Sequence, residues 1–106
     1  MELEEMREKC IGVQLHWGKK MPIMVMEEAG ELIQAISKLM RVVYDSELDV
    51  IKDASNKDLI KIGKAKKALT DEIGDMYIAL MALEEQLKIS DRDIEARIVE
   101  KLNKKY

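Results

Sequence analysis

At 106 residues the chain has the size of one domain with a modest core. Apolar residues at 47% and charged residues at 37% exclude a disordered polyelectrolyte, and a net charge of −3 leaves no overall nucleic-acid footprint, the Lys-rich segment from Lys52 to Lys67 being a local exception. The single cysteine, Cys10, excludes an intrachain disulfide framework and points to a reducing, cytoplasmic setting.

The chain has no Phe, one Trp, one Pro and eight Met. Good helix formers dominate, and alternating β-branched or aromatic runs are missing, so all-α is the expected class. Residues 2 to 16 predict a first helix with Leu3, Met6, Cys10, Val13 and Leu15 as its apolar positions. The opening MELEEMREK is too acidic and polar for a signal peptide. HWGKKMP then breaks the pattern: Gly18 suits a helix end and Pro22 the first turn of the next helix. A second helix is expected from Pro22 to Tyr44, with Asp45-Ser46 as a break and N-cap. SELDVIKDA reads as a short helix, and SNKDLIKIGK as a second short helix or turn containing Gly63. A long helix follows from Ala65 to Lys88. SDRD has the form of a capping box, with Asp93 where Glu or Gln is usual, and opens a last helix from Asp91 to Lys104. The sum is one domain over residues 1–106, with no linker. No apolar run approaches the roughly 18 residues that span a bilayer, so no membrane partner is expected.

Two helices carry the chemistry. EEAGE places Glu28 and Glu31 three residues apart, and DEIGD places Glu72 and Asp75 three apart on the long helix. Residues at that spacing share a face. On a helical wheel the core stripe of the second helix is Ala29, Leu32, Ile33, Ile36, Met40 and Val43, with Glu28 at its border. On the long helix the arc is Leu69, Met76, Leu80, Leu83 and Leu87, with Glu72 at its edge. Asp75 falls among Ala68, Ala79 and Ala82, a small-residue strip that another helix can approach. One acid pair alone is an ordinary solvated face. Two pairs at apolar margins, each enclosing a glycine (Gly30 and Gly74), point instead to a shared cation, because unpaired carboxylates near a core are costly. Oxygen-only ligation favours Mg²⁺ or Mn²⁺ over Zn²⁺. The glycines, lacking a Cβ, are expected to let a facing helix or a ligand come close beside the acids. His16 stands in no acid-x-x-His motif, which argues against a di-iron bundle.

EEAGELIQAISKLMR followed by DEIGDMYIALMAL resembles the MazG-like all-α nucleoside triphosphate pyrophosphatases. The resemblance extends from about His16 to Lys101. It implies Glu28, Glu31, Glu72 and Asp75 as Mg²⁺ ligands, with Glu27 an auxiliary acid near metal or water. It also implies hydrolysis of nucleoside triphosphates to monophosphate and pyrophosphate, a house-cleaning role on the nucleotide pool, and a homodimer or homotetramer that completes a four-helix-bundle core. In such an enzyme Glu27, Glu28 and Glu31 are the candidate catalytic acids. The family often has an Asn two residues before a Lys of the last helix; here Lys101 is present but Val99 takes that position. Lys38, on the Glu31 side of its helix, and Lys101 are candidate phosphate contacts, as are Lys64, Lys66, Lys67 and Arg97. Each lysine alone is ordinarily a solvated charge. Trp17 is a candidate base-stacking residue, although a lone Trp is more often core. Two rival readings are phosphoribosyl-ATP pyrophosphatase, whose aromatic-His element DMYIAL lacks, and a non-enzymatic helical dimerisation module.

Overall fold

The computed structural model describes residues 1–44 and 56–105. It is all-α: α1 (Leu3–Trp17), a 3-10 turn (Gly18–Lys20), α2 (Met21–Tyr44), α3 (Asn56–Leu87) and α4 (Asp91–Lys105). Among the described residues there is no strand, and no helix is long and apolar enough to cross a membrane.

α1 starts with Glu4 and Glu5 in its first turn, where carboxylates meet the positive end of the helix dipole. It ends where expected, at Gly18, whose φ of 51° is the left-handed backbone that glycine enters without a Cβ clash. Pro22 then sits in the first turn of α2, where its missing N–H costs nothing.

The expected break at Gly63 does not occur. α3 runs through it as one helix of 32 residues. A mid-helix glycine costs about 1 kcal/mol. Strong helix formers on both sides and the partial burial of Ile62, Ala65 and Leu69 outweigh that cost. The predicted break and cap at Asp45-Ser46 and the short helix SELDVIKDA lie outside the described residues.

At its C-terminus α3 closes with a Schellman motif. Lys88 adopts a φ of 58°, its N–H reaches the Glu85 carbonyl at 3.4 Å, and the Ile89 N–H reaches the Glu84 carbonyl at 2.9 Å. Ser90 then caps α4 as predicted: its Oγ accepts the Asp93 N–H at 3.2 Å.

α2 packs along α3, α1 packs across the C-terminal half of α3, and α4 packs against none of the other described helices. The core lies where α1, the start of α2 and the end of α3 meet. Cys10, Met21 and Ala82 are its buried centre, with Val13, Trp17, Met24, Val25, Met81 and Leu83 around them. The Gln86 side chain donates to the Gly18 carbonyl and ties α3 to the 3-10 turn. Arg7 is the hub of the polar contacts between helices, pairing with Glu85 of α3 at 3.5 Å and with Asp91 of α4.

The predicted core stripes need correcting. On α2, Ile33, Ile36 and Met40 are 66%, 40% and 50% exposed, while Ala35 is buried. On α3, Leu80 and Leu87 are exposed, and Ala79 and Ala82 are sealed. The physical reason is that α2 and α3 approach along their small residues, which leaves bulkier apolar side chains on the flanks. At Gly30 and Gly74 the expected close approach of a facing helix is not made by the described residues, since a Cβ at either would meet nothing within 4 Å.

Candidate metal and substrate site

The acid pairs meet because α2 and α3 face each other in opposite chain directions. Glu28, Glu31, Ala35 and Lys38 step along one helix at intervals of three and four, and Asp75, Glu72, Ala68 and Ala65 step along the other. Each row keeps one face toward its neighbour.

One carboxylate oxygen from each of Glu28, Glu31, Glu72 and Asp75 lies within 4.8 Å of the other three. Glu28 and Glu72 are half-buried, and Glu31 and Asp75 are exposed. Asp75 therefore faces solvent, not only the alanine strip foreseen for it. The Oε2 atoms of Glu28 and Glu72 are buried without a hydrogen-bond partner. Orphaned carboxylate oxygens are costly. Both groups respond in the expected direction. Burial first, then the charges of Glu31, Asp75 and Glu72, push the Glu28 carboxyl above its ordinary range. Burial first, then Glu31 and Asp75, do the same for Glu72. A cluster with unpartnered buried oxygens, only hard oxygen donors and a surplus of negative charge fits a divalent cation of the Mg²⁺ or Mn²⁺ kind.

Beside the acids runs a groove of about 590 Å³ between α2 and α3. Glu31 and Glu72 line its acidic end, Lys38 and Lys64 bring cations to it, and alanines 35, 65 and 68 form much of its floor. Gln34 lines it too, a residue absent from the sequence-based list. Extending the Glu28–Glu31 row by three more residues would have found it.

The remaining predicted residues lie elsewhere. Glu27 is exposed on α2 and outside the four-oxygen set. Trp17 is half-buried against the core cluster and meets His16 edge-on, with ring centroids 5.8 Å apart. It does not line the groove. Lys101 is exposed on α4, in a shallow depression with Ile94, Arg97 and Ile98.

Comparison of the chain with curated proteins and with solved structures gives no match in either. The family described as MazG nucleotide pyrophosphohydrolase domain matches residues 19–106, a span that takes in both acid pairs and the groove between them. The paired helical acids and this match lead to one conclusion: the chain belongs to the MazG nucleotide pyrophosphohydrolase domain family.

Proposed function

We propose that the chain is a Mg²⁺-dependent nucleoside triphosphate pyrophosphohydrolase that releases nucleoside monophosphate and pyrophosphate. The observation that carries this reading is the convergence of four carboxylate oxygens within 4.8 Å, two of the acids having buried oxygens without partners, beside a groove that contains lysines.

In this reading Glu28, Glu31, Glu72 and Asp75 hold the cation, with Mn²⁺ as an alternative to Mg²⁺. When bound, such an ion supplies the positive charge that phosphate oxygens need in a nest of acids and lowers the pKa of water. The chain's own residues do the rest. The half-buried Glu28 and Glu72 fix the position of the site, since their stems are packed between the helices. Glu31, exposed at the groove edge, or the exposed Glu27, accepts the proton as water attacks phosphorus of the α–β linkage. A new P–O bond to that water forms, the P–O bond to the pyrophosphate breaks, and the pyrophosphate leaves. Lys38 contacts the phosphates, and Trp17 and Lys101 are retained as substrate candidates. Positioning and electrostatics account for most of phosphoryl-transfer catalysis, so a rigid two-helix frame is suited to it.

The domain spans residues 1–106 and works as a homodimer or homotetramer in the cytoplasm. The support for assembly is the openness of the single chain. Its accessible surface is 8610 Å², where a compact monomer of this mass exposes roughly 6,000 Å². Its radius of gyration is 17.5 Å, against roughly 13 Å for a compact chain of this length. The excess surface is of the size that an obligate interface buries. Exposed Ile33, Ile36, Met40, Leu80, Ile98 and Leu102 supply apolar contacts for it. Removal of damaged or surplus nucleotides is the role proposed.

The test is a panel of nucleoside triphosphates with Mg²⁺ and a coupled pyrophosphatase, for wild type and Asp75→Ala. Turnover by wild type and its loss in the folded variant are expected. No turnover with any nucleotide, or an Asp75→Ala variant as active as wild type, would refute the proposal.

A further inference from the structure

Because α4 packs against none of the other described helices, apolar burial within the chain does not fix its direction. It is joined to α3 by three residues, Lys88, Ile89 and Ser90. Their own bonds close one helix and open the next. A connector of that length is compatible with more than one interhelical angle. Among the described residues one side chain reaches α4 from the body of the molecule. The Arg7 guanidinium on α1 forks: Nη1 pairs with Glu85 near the end of α3 at 3.5 Å, and Nη2 pairs with Asp91 in the first turn of α4. A planar fork serves two carboxylates at once, as a single ammonium does not. The Arg7 side chain is only 22% exposed, so solvent replaces it poorly.

The joint is acidic without Arg7. Glu84, Glu85 and Asp91 gather where α3 ends, and the negative end of its dipole is there too. Burial first raises the Glu84 carboxyl above its ordinary range, the Arg7 charge opposes this, and Asp91 and Glu85 add to it, so the three acids share one field. With the guanidinium removed they repel across the joint. Asp91 is the one free to retreat, since α4 has no packing against the body to lose.

We propose that Arg7 is the pin of an ionic hinge: through Asp91 it holds α4 in one direction against the body formed by α1, α2 and α3, and its release lets α4 pivot at Lys88–Ser90 as an intact helix. α4 carries Ile94, Ile98 and Leu102 at intervals of four, the last two each 51% exposed. Pinned, that stripe is aimed one way. Released, it samples many directions, and any contact made through it costs more ordering entropy. The hinge does not depend on the cation site, whose acids all stand on α2 and α3.

The test places spin labels at Lys67→Cys on α3 and Asn103→Cys on α4, both exposed, with Cys10→Ala to leave no other thiol. Unlabelled chain in excess ensures that only intrachain distances are read. Asp91→Asn and Arg7→Gln remove the pair. Asp93→Asn is the control, since it takes the same charge from the first turn of α4 without touching Arg7. One narrow distance is expected in the parent and in Asp93→Asn, and a broadened or displaced distribution in the other two. In 1 M salt, where the Debye length is about 3 Å, the parent should move toward Asp91→Asn. One unchanged distribution in every variant, or equal broadening in Asp93→Asn, would overturn the hinge. Amide exchange provides a second arm that needs neither labels nor Cys10→Ala. The Ile89 and Asp93 N–H groups close the joint, and in Asp91→Asn they should exchange about threefold to thirtyfold faster than in wild type, with the amides of α2 unchanged. Unchanged exchange at the joint, or acceleration that extends through α2, would refute the pin.

Discussion

Glu28→Gln should make the metal-free protein more stable and the metal-dependent protein inert. Glu28 presents an oxygen within 4.8 Å of oxygens from Glu31 and Asp75, and its Oε2 is buried without a partner. Two unit charges at that distance repel by about 1 kcal/mol in a water-like dielectric and about 3.5 kcal/mol at an effective dielectric of 20. Glu31 and Asp75 are exposed, so the lower figure governs each pair. Gln keeps the shape of Glu, removes the charge and brings an amide that can donate to a neighbouring carboxylate. The net gain should be about 1–2 kcal/mol, a rise of roughly 4–10 °C in Tm for a chain of this size. The assay is thermal unfolding at fixed protein concentration, in chelator and then in a Mg²⁺ series. Wild type should gain Tm with Mg²⁺ by mass action, and Glu28→Gln should gain little. A variant less stable than wild type in chelator, or one with an undiminished Mg²⁺ response, would refute the claim that these acids are held in mutual repulsion for a cation.

Without metal, stability should fall as pH rises from acid toward neutrality. Folding raises the pKa of Glu28 and Glu72 above the ordinary 4.5, so above that value the folded state binds more protons than the unfolded one, and unfolding free energy declines until pH passes the raised values. Denaturant melts between pH 4 and 8 in chelator check the sign, and saturating Mg²⁺ should flatten or reverse the slope. Lys88→Gly should stabilise by about 1 kcal/mol, because glycine takes the left-handed position that ends α3 without steric cost; a urea midpoint measures it. Ala79→Leu should destabilise by about 1–3 kcal/mol and abolish activity, since the sealed Ala79 stands one turn from Asp75 and a larger side chain forces the helices apart; circular dichroism and the pyrophosphate assay read both effects.

Boundaries were legible in the sequence wherever a residue carries its own backbone instruction. Gly18, Pro22 and Ser90 mark the ends they were expected to mark, because their effects are local. Gly63 was misleading for the converse reason: its penalty is small and its neighbours' packing against α2 is decided by tertiary contacts. The four acids were legible because spacing of three on a helix fixes a shared face whatever the partner does. The core stripe of α2 was not, because a helical wheel ranks positions by hydrophobicity alone. What lies inside is decided across the interface, where Ala35 meets the alanines of α3 and Ile33 and Met40 are left at the flank. That Lys38 and Lys64 share one groove required knowing that the two helices run in opposite directions.

Because α3 is a single unbroken rod, about 48 Å long, changes in its residue count act as rotations. One residue inserted between Ala65 and Glu72 would swing everything before it by about 100° around the axis, carrying Lys64 off the groove while the carboxylates and Ala82 kept their places. Lys64 and the acid pair of α3 are therefore placed relative to each other by spacing alone. Along that interval the number of residues is under tighter constraint than their identity.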